Sequence, residues 1–212
     1  MAMLTFCSNR IRQLIFRRLW EKINGWQQIV PVSGWRSLKE QQDIFKQSLK
    51  DNGRTFTQQF VALPGKSEHQ TGLAIDLGLK KESIDFIRPD FPYIGICQQF
   101  REKSVPYGFI ERYPREKEHI TGIAHEPWHF RYVGTPHAEI MREHHFCLEE
   151  YIDFLKRFSQ DQPYTFYKDS QEIQIFYLKA DTESVSLEVA EDGSLSVSGN
   201  NVDGYIITEW RG

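Results

Sequence analysis

The stretch Ser67-Glu68-His69-Gln70-Thr71-Gly72-Leu73-Ala74-Ile75-Asp76-Leu77-Gly78 constrains the fold of this chain more than any other. Its second half alternates as a strand does. Leu73, Ile75, Leu77 and Leu79 share one face, and Ala74, Asp76 and Gly78 share the other. The pattern predicts a buried strand over 73–79 with a carboxylate in its middle, flanked by two small residues that leave room beside it. A buried carboxylate is costly unless it is paired or bound to metal, so this face is expected to meet a cation. His69 lies seven positions before Asp76, an odd separation that puts the two side chains on opposite faces of a regular strand. Gly72 between them is expected to act as a bend or bulge, leaving His69 in the approach loop and re-aiming it toward the aspartate.

A second group of metal-competent side chains lies at His125-Glu126-Pro127-Trp128-His129. Read literally, HEPWH is the H-E-x-x-H signature of helical zinc proteases, which needs both histidines on one face of a continuous helix. Pro127 argues against that, since proline in a helix interior costs about 3 kcal/mol and the residue before it avoids helical geometry. The residues that follow, HFRYV, are aromatic and β-branched and predict a strand over 128–133. The ligand set is therefore read as His69, Asp76 and His129, with Glu126 beside them but off the metal. Two imidazoles and one carboxylate suit Zn2+, and three protein ligands leave a fourth tetrahedral position for water. Zinc lowers the pKa of bound water to roughly 7, and a neighbouring glutamate can take the proton as water attacks a carbonyl. His125 is a candidate for a supporting role, whereas His119, His137, His144 and His145 stand at background.

Around these two segments the chain reads as mixed α and β. Ile11, Leu14, Ile15 and Leu19 follow helical spacing. A strand at 28–32 runs into Ser33-Gly34-Trp35-Arg36, and Ser37 with Glu40 forms a capping box that starts a helix. Leu38, Phe45 and Leu49 are expected as its apolar face, Asn52-Gly53 as its stop, and 54–68 as a long loop. A short helix is predicted from Tyr93 to Lys103. Thr135 as N-cap with Pro136 at the first helical position opens a last helical region to about Phe158, interrupted near 145–148. Beyond Pro163 the alternations Ile173/Ile175/Tyr177, Val185/Leu187/Val189 and Leu195/Val197, with turns at Asp192-Gly193 and Asp203-Gly204, predict a small β appendage. The expected division is 1–160 for the main domain and 161–212 for the β-rich extension.

Composition excludes several function classes. The formal net charge is -3 and no block of like charge occurs, so no nucleic acid is expected as partner. Cys7, Cys97 and Cys147 are too few and too scattered for a disulfide framework. No stretch approaches the roughly 18 to 20 apolar residues of a membrane span. Four arginines interrupt the N-terminal apolar run, so a signal peptide is not expected and a cytoplasmic location is, with a membrane-anchored or exported protein carrying a further upstream segment as the alternative.

The motifs S-x-H-x-x-G-x-A-x-D at Ser67 to Asp76 and E-P-W-H at Glu126 to His129 together resemble the zinc D-alanyl-D-alanine carboxypeptidases of the VanY type and their VanX and VanXY relatives. Ser33-Gly34-Trp35-Arg36-Ser37 is similar to their S-G-[YW]-R-S turn. Tyr107 to Pro114 with Thr121-Gly122 is similar to their G-F-x-x-R-Y-P…T-G segment. The resemblance implies an α+β fold shared with the hedgehog signalling domain, an antiparallel sheet packed with helices. It implies His69, Asp76 and His129 as zinc ligands and Glu126 as general base. Arg36 would polarise the scissile carbonyl and stabilise the oxyanion. Ser67 would help hold the substrate's terminal carboxylate, and Gln41 is a further candidate for substrate contact. The implied substrates are the D-Ala-D-Ala dipeptide, a peptidoglycan precursor peptide, or both, in glycopeptide resistance. His125 stands where the family often has an aromatic residue, which would alter the pocket wall and not the ligand set. An L,D- or endolysin-type wall peptidase and a non-catalytic zinc-binding module are the competing readings.

Overall fold

A computed structural model of the chain describes residues 10–23, 27–180 and 194–211, with side chains described from residue 15 onward. Two compact units divide at Cys147/Leu148. The sequence reading places the boundary at 160. The thirteen residues between include the helix Leu148–Leu155, whose Phe154 meets Tyr164 of the C-terminal sheet edge-on at 5.1 Å.

The first unit contains a four-stranded antiparallel sheet formed by β1 (Ile29–Ser33), β2 (Ala74–Leu79), β3 (Phe109–Tyr113) and β4 (Glu126–Tyr132), in the order β1-β2-β4-β3. Pro31 lacks an N–H and sits in the edge strand, where the ladder tolerates it. Alternation gives the sheet two unlike faces. One carries Ile75, Leu77, Trp128 and Phe130, which pack with Phe16, Leu19 and Trp20 of α1 (Arg10–Lys22) and with Phe100 of α3 (Gly95–Ser104). Aromatic rings fill this core: Phe100 meets Phe130 edge-on at 4.8 Å and Phe91 meets Phe130 at 5.5 Å. Such pairs add about 0.5–1.5 kcal/mol each beyond the area they bury. The other face carries Asp76, His129 and Arg131, all buried and all polar.

The helix α2 (Leu38–Phe60) starts with the predicted capping box: Ser37 Oγ accepts from the Glu40 N–H at 3.2 Å, and Glu40 accepts from the Ser37 N–H at 2.7 Å. It does not stop at Gly53. That glycine takes φ 80 and ψ 176, and the chain resumes helix to Phe60, so the expected 54–68 loop is seven residues shorter. The second segment is held by the Thr57 hydroxyl, which donates to Gly53 O at 2.8 Å and bonds the Ser48 hydroxyl. Phe56 and Phe60, one turn apart, stack at 4.9 Å. Nor is the expected apolar face the buried one. Leu38 and Leu49 are exposed, while Gln41, Ser48 and Thr57 are buried.

Further along, α4 (Glu118–Thr121) is a single turn, and α5 (His137–Glu143) begins one residue later than predicted, with Pro136 as its N-cap. In the second unit, α6 (Leu148–Leu155) precedes an antiparallel sheet of β5 (Tyr164–Lys168), β6 (Gln171–Lys179), β7 (Ser194–Gly199) and β8 (Gly204–Arg211), in the order β5-β6-β8-β7. The β appendage is thus present. The expected Val185/Leu187/Val189 alternation, the Asp192-Gly193 turn and Cys7 lie outside the described residues. Cys97 and Cys147 are buried, and no disulfide links them. Among the described residues no helix is long and apolar enough to cross a membrane.

β3 and β4 are fastened where β4 ends. The N–H groups of Val133 and Gly134 both donate to Gly108 O, at 2.8 and 3.1 Å. Gly108 has φ +83, and a Cβ there would lie 2.7 Å from Gly134 Cα. Gly122 is also left-handed, at φ +69, with nothing within 4 Å of its Cβ position. Gly108→Ala is therefore expected to cost about 2–4 kcal/mol and Gly122→Ala about 1 kcal/mol in urea denaturation. Equal costs would show that left-handed backbone strain, and not this close approach, dominates.

Candidate metal centre

Asp76 and His129 are direct cross-strand partners in the β2–β4 ladder, so pairing of the two strands brings them together without any further device. His129 Nδ1 lies 2.9 Å from Asp76 Oδ1. His69 arrives differently. Glu68–Thr71 forms a 3-10 turn closed by Gly72 at φ 68, and this left-handed cap is the bend that turns the chain into β2. His69 Nε2 then stands 3.1 Å from Asp76 Oδ2, while Nδ1 bonds Gly34 O at 2.7 Å. That carbonyl can only accept, so Nδ1 carries the proton and Nε2 presents its lone pair to the centre. The two imidazole rings meet edge-on at 5.0 Å. One ligand atom from each of His69, Asp76 and His129 lies within 4.8 Å of the other two, and all three residues are buried.

Electrostatics fits a cation. Against the cost of burial, the two imidazoles hold Asp76 well below the usual carboxylate range. Burial alone would lower His129, but hydrogen bonds to Asp76 and Glu68 outweigh it and raise the imidazole to about 9. Without a metal, the raised His129 imidazole favours its protonated form beside an ionised Asp76, and a divalent ion offers the same carboxylate a positive partner while releasing that proton. Two nitrogens and a carboxylate in a small cluster match the preferences of zinc.

Glu126 lines the same cleft, its Oε2 3.7 Å from His129 Nδ1. Burial pushes its carboxyl up to about 8, with the Asp76 and Glu68 charges acting in the same sense and His129 and Arg36 opposing. Arg36 is fixed on three sides: Nε donates to Ser33 Oγ at 2.7 Å, one terminal nitrogen to Gln41 Oε1 at 3.3 Å, and the other to Asp76 Oδ2 at 2.9 Å. Ser67 is buried at the cleft wall, and its side chain does not cap the turn that follows. The wall is otherwise apolar, with Ile44, Phe60, Val61, Ala62, Phe86 and Trp128 among its residues. Gln41 is placed otherwise than a substrate contact would be. It is wholly buried, does not line the cleft, and spends its amide on Arg36 and on Ala62 O, to which Nε2 donates at 2.8 Å. His125 also faces elsewhere, stacked on Tyr93 with its Nε2 2.7 Å from the Tyr93 hydroxyl. Sequence reasoning passed over Glu68 and Tyr113. Both line the cleft, and Tyr113 packs on the His129 ring at 5.1 Å.

The family model for VanY, D-alanyl-D-alanine carboxypeptidase, matches residues 16–135. The chain belongs to the VanY family. It is 54% identical over 125 residues to the bifunctional D-Ala-D-Ala dipeptidase and D-Ala-D-Ala carboxypeptidase VanXYC of Enterococcus gallinarum, covering 58% of this chain and 66% of that protein. It is 36% identical over 181 residues to a D-alanyl-D-alanine carboxypeptidase of Enterococcus faecium, covering 85% of this chain and 53% of that one. The chain thus spans between about half and two thirds of these curated relatives. Among solved structures, the vancomycin resistance D,D-dipeptidase VanXYg in complex with a D-Ala-D-Ala phosphinate analog superposes with a TM-score of 0.93 at 54% identity, covering 95% of this chain and 81% of that one. The α+β fold with its antiparallel sheet is accordingly that of the VanY-type peptidases.

A metal centre built this way must lose its ion when a donor is removed. Asp76→Asn and His129→Ala are each expected to weaken divalent-ion binding well beyond the roughly 10- to 100-fold that loss of an outer partner causes. Chelator competition on the purified proteins measures this. A parent protein that takes up no stoichiometric ion would reduce the cluster to an ion-pair network.

Proposed function

We propose that this chain is a zinc-dependent D,D-peptidase that hydrolyses the D-Ala-D-Ala dipeptide and removes the terminal D-Ala from peptidoglycan precursors, acting in glycopeptide resistance. The observation that carries the reading is the placement of a buried, unusually basic carboxylate, Glu126, beside a His-Asp-His cluster in one narrow cleft. A purely structural metal site has no use for it. The names of the relatives support the substrate class, and the structure of VanYB in complex with D-alanine-D-alanine, at 32% identity and TM-score 0.58, concerns a protein of the same fold.

In this reading His69, Asp76 and His129 hold zinc, which when bound supplies a polarised water and a Lewis acid for the carbonyl. Glu126 accepts the water's proton and returns it to the leaving amine. Arg36, already braced by Ser33, Gln41 and Asp76, presents a fixed guanidinium to the developing oxyanion, so little reorganisation is needed during reaction. Gln41 serves by holding Arg36 and not by touching substrate. Ser67 contributes a hydroxyl for the terminal carboxylate, and the short apolar wall suits a methyl side chain.

Glu126 must be ionised to accept a proton, so activity rises with pH as it loses its own. Burial sets that loss near 8 in the metal-free site, and a bound cation lowers it, placing the acid limb of the profile below 8. Glu126→Gln is expected to retain the metal, abolish this limb and reduce the rate by about 10²- to 10⁴-fold. Metal analysis and a pH–rate profile check both parts, and a variant as fast as the parent removes Glu126 as base. Mass spectrometry of products from dipeptide and pentapeptide tests the substrate. An L,D-carboxypeptidase, LdcB, shares the fold at 32% identity and TM-score 0.58, so release of anything other than terminal D-alanine would move the assignment to that class.

A further inference from the structure

Each imidazole of the centre turns one nitrogen toward Asp76, and its second nitrogen must be answered elsewhere. For His69 the answer is the Gly34 carbonyl. His129 Nε2 faces a side chain instead: Glu68 Oε2, at 3.5 Å. Glu68 precedes His69 in the 3-10 turn and reaches to the polar face of the sheet. Its other oxygen, Oε1, lies 2.8 Å from Arg112 Nε and 2.9 Å from a terminal nitrogen of Arg131. Both arginines are buried, Arg112 on β3 and Arg131 on β4.

The ordinary account of such a cluster is a buried ion network that only joins the turn to the sheet. The division of the oxygens argues for more. Oε1 takes both guanidinium contacts, and Oε2 is left to the imidazole. Two cations on one oxygen fix the carboxylate's rotation and keep it charged, so the free oxygen points where the strands put His129. Imidazoles that ligate metal donate their other N–H to a carboxylate or carbonyl in this manner, which fixes tautomer and ring orientation.

We propose that Glu68 is a positioning residue of the metal centre: clamped by Arg112 and Arg131, it accepts the Nε2–H of His129 and so reserves Nδ1 for the ion. The inference rests on the metal-centre reading above and adds to it a residue outside the ligand set. The arginines act one step further out by aiming Glu68.

Glu68→Gln, which keeps shape and removes charge, tests it in the full chain by chelator competition with zinc and by the visible spectrum of the cobalt-substituted protein. Zinc affinity is expected to fall about 10- to 100-fold, with displaced cobalt bands. Glu111→Gln is the control. It breaks a half-buried ion pair between β3 and α3, Arg101–Glu111 at 2.7 Å, and is expected to leave zinc affinity and cobalt bands unchanged. Parent-like affinity and spectrum in Glu68→Gln overturn the proposal, as does an equal loss in the control. Should Glu68→Gln fail to fold, nitrogen-15 correlation spectra of the zinc-loaded parent decide. A His129 ring protonated at Nε2 supports the proposal, and one protonated at Nδ1 ends it. A folded parent that binds neither ion overturns the function proposed above, an outcome told apart because the defect is already present in the parent.

Discussion

The structure turns on one carboxylate that the fold buries and then surrounds with positive or proton-bearing groups. Asp76 sits in the second strand of a four-stranded sheet, opposite His129, with His69 on its other oxygen and the Arg36 guanidinium beside that. An isolated carboxylate in this position would cost several kcal/mol. Every element around it can be read as answering that cost: the 3-10 turn delivers one imidazole, strand pairing delivers the other, and the start of α2 delivers the arginine. The same arrangement that makes the burial tolerable makes a site for a divalent cation.

The sheet separates support from chemistry by face. Its apolar side is closed by aromatic rings from α1, α3 and the strands themselves, which fixes β2 and β4 side by side and with them the Asp76–His129 register. A slip of one residue would carry both side chains to the wrong face. The polar side is braced by ion pairs: Glu68 with Arg112 and Arg131, and Arg36 with Asp76. Rigid support under a small cluster is what holds ligand geometry within tolerance.

Much of this was legible in the chain. Asp76 is exposed as unusual by alternation, Pro127 forbids the helical reading of HEPWH, and the Ser37/Glu40 box places the start of α2. The failures have physical causes. The helix α2 buries Gln41 against Arg36 and Ala62 O, and Ser48 and Thr57 against each other across the Gly53 kink, so its apolar spacing points to the wrong side. Gly53 breaks the helix without ending it, since Phe56, Phe60 and the Ser48–Thr57 hydroxyl pair hold the next turns in place. Glu68 escaped because its neighbours in sequence say nothing about Arg112 and Arg131, which only the fold brings near it.

Glu126 and His129 are three apart, and in a regular strand an odd separation puts two side chains on opposite faces. With His129 on the polar face, Glu126 would lie with Trp128 and Phe130 in the apolar core. The β3–β4 register shows how the chain avoids this. Glu111 pairs with Phe130, but Tyr113 pairs with Glu126, so β4 uses four steps where β3 uses two. The extra residues lie within 127–129 and break the alternation there, and Pro127 among them has no N–H to give to the ladder. Proline thus does two things in this strand. It excludes the helix that HEPWH would otherwise invite, and it lies in the irregularity that brings Glu126 and His129 of one strand into the same cleft.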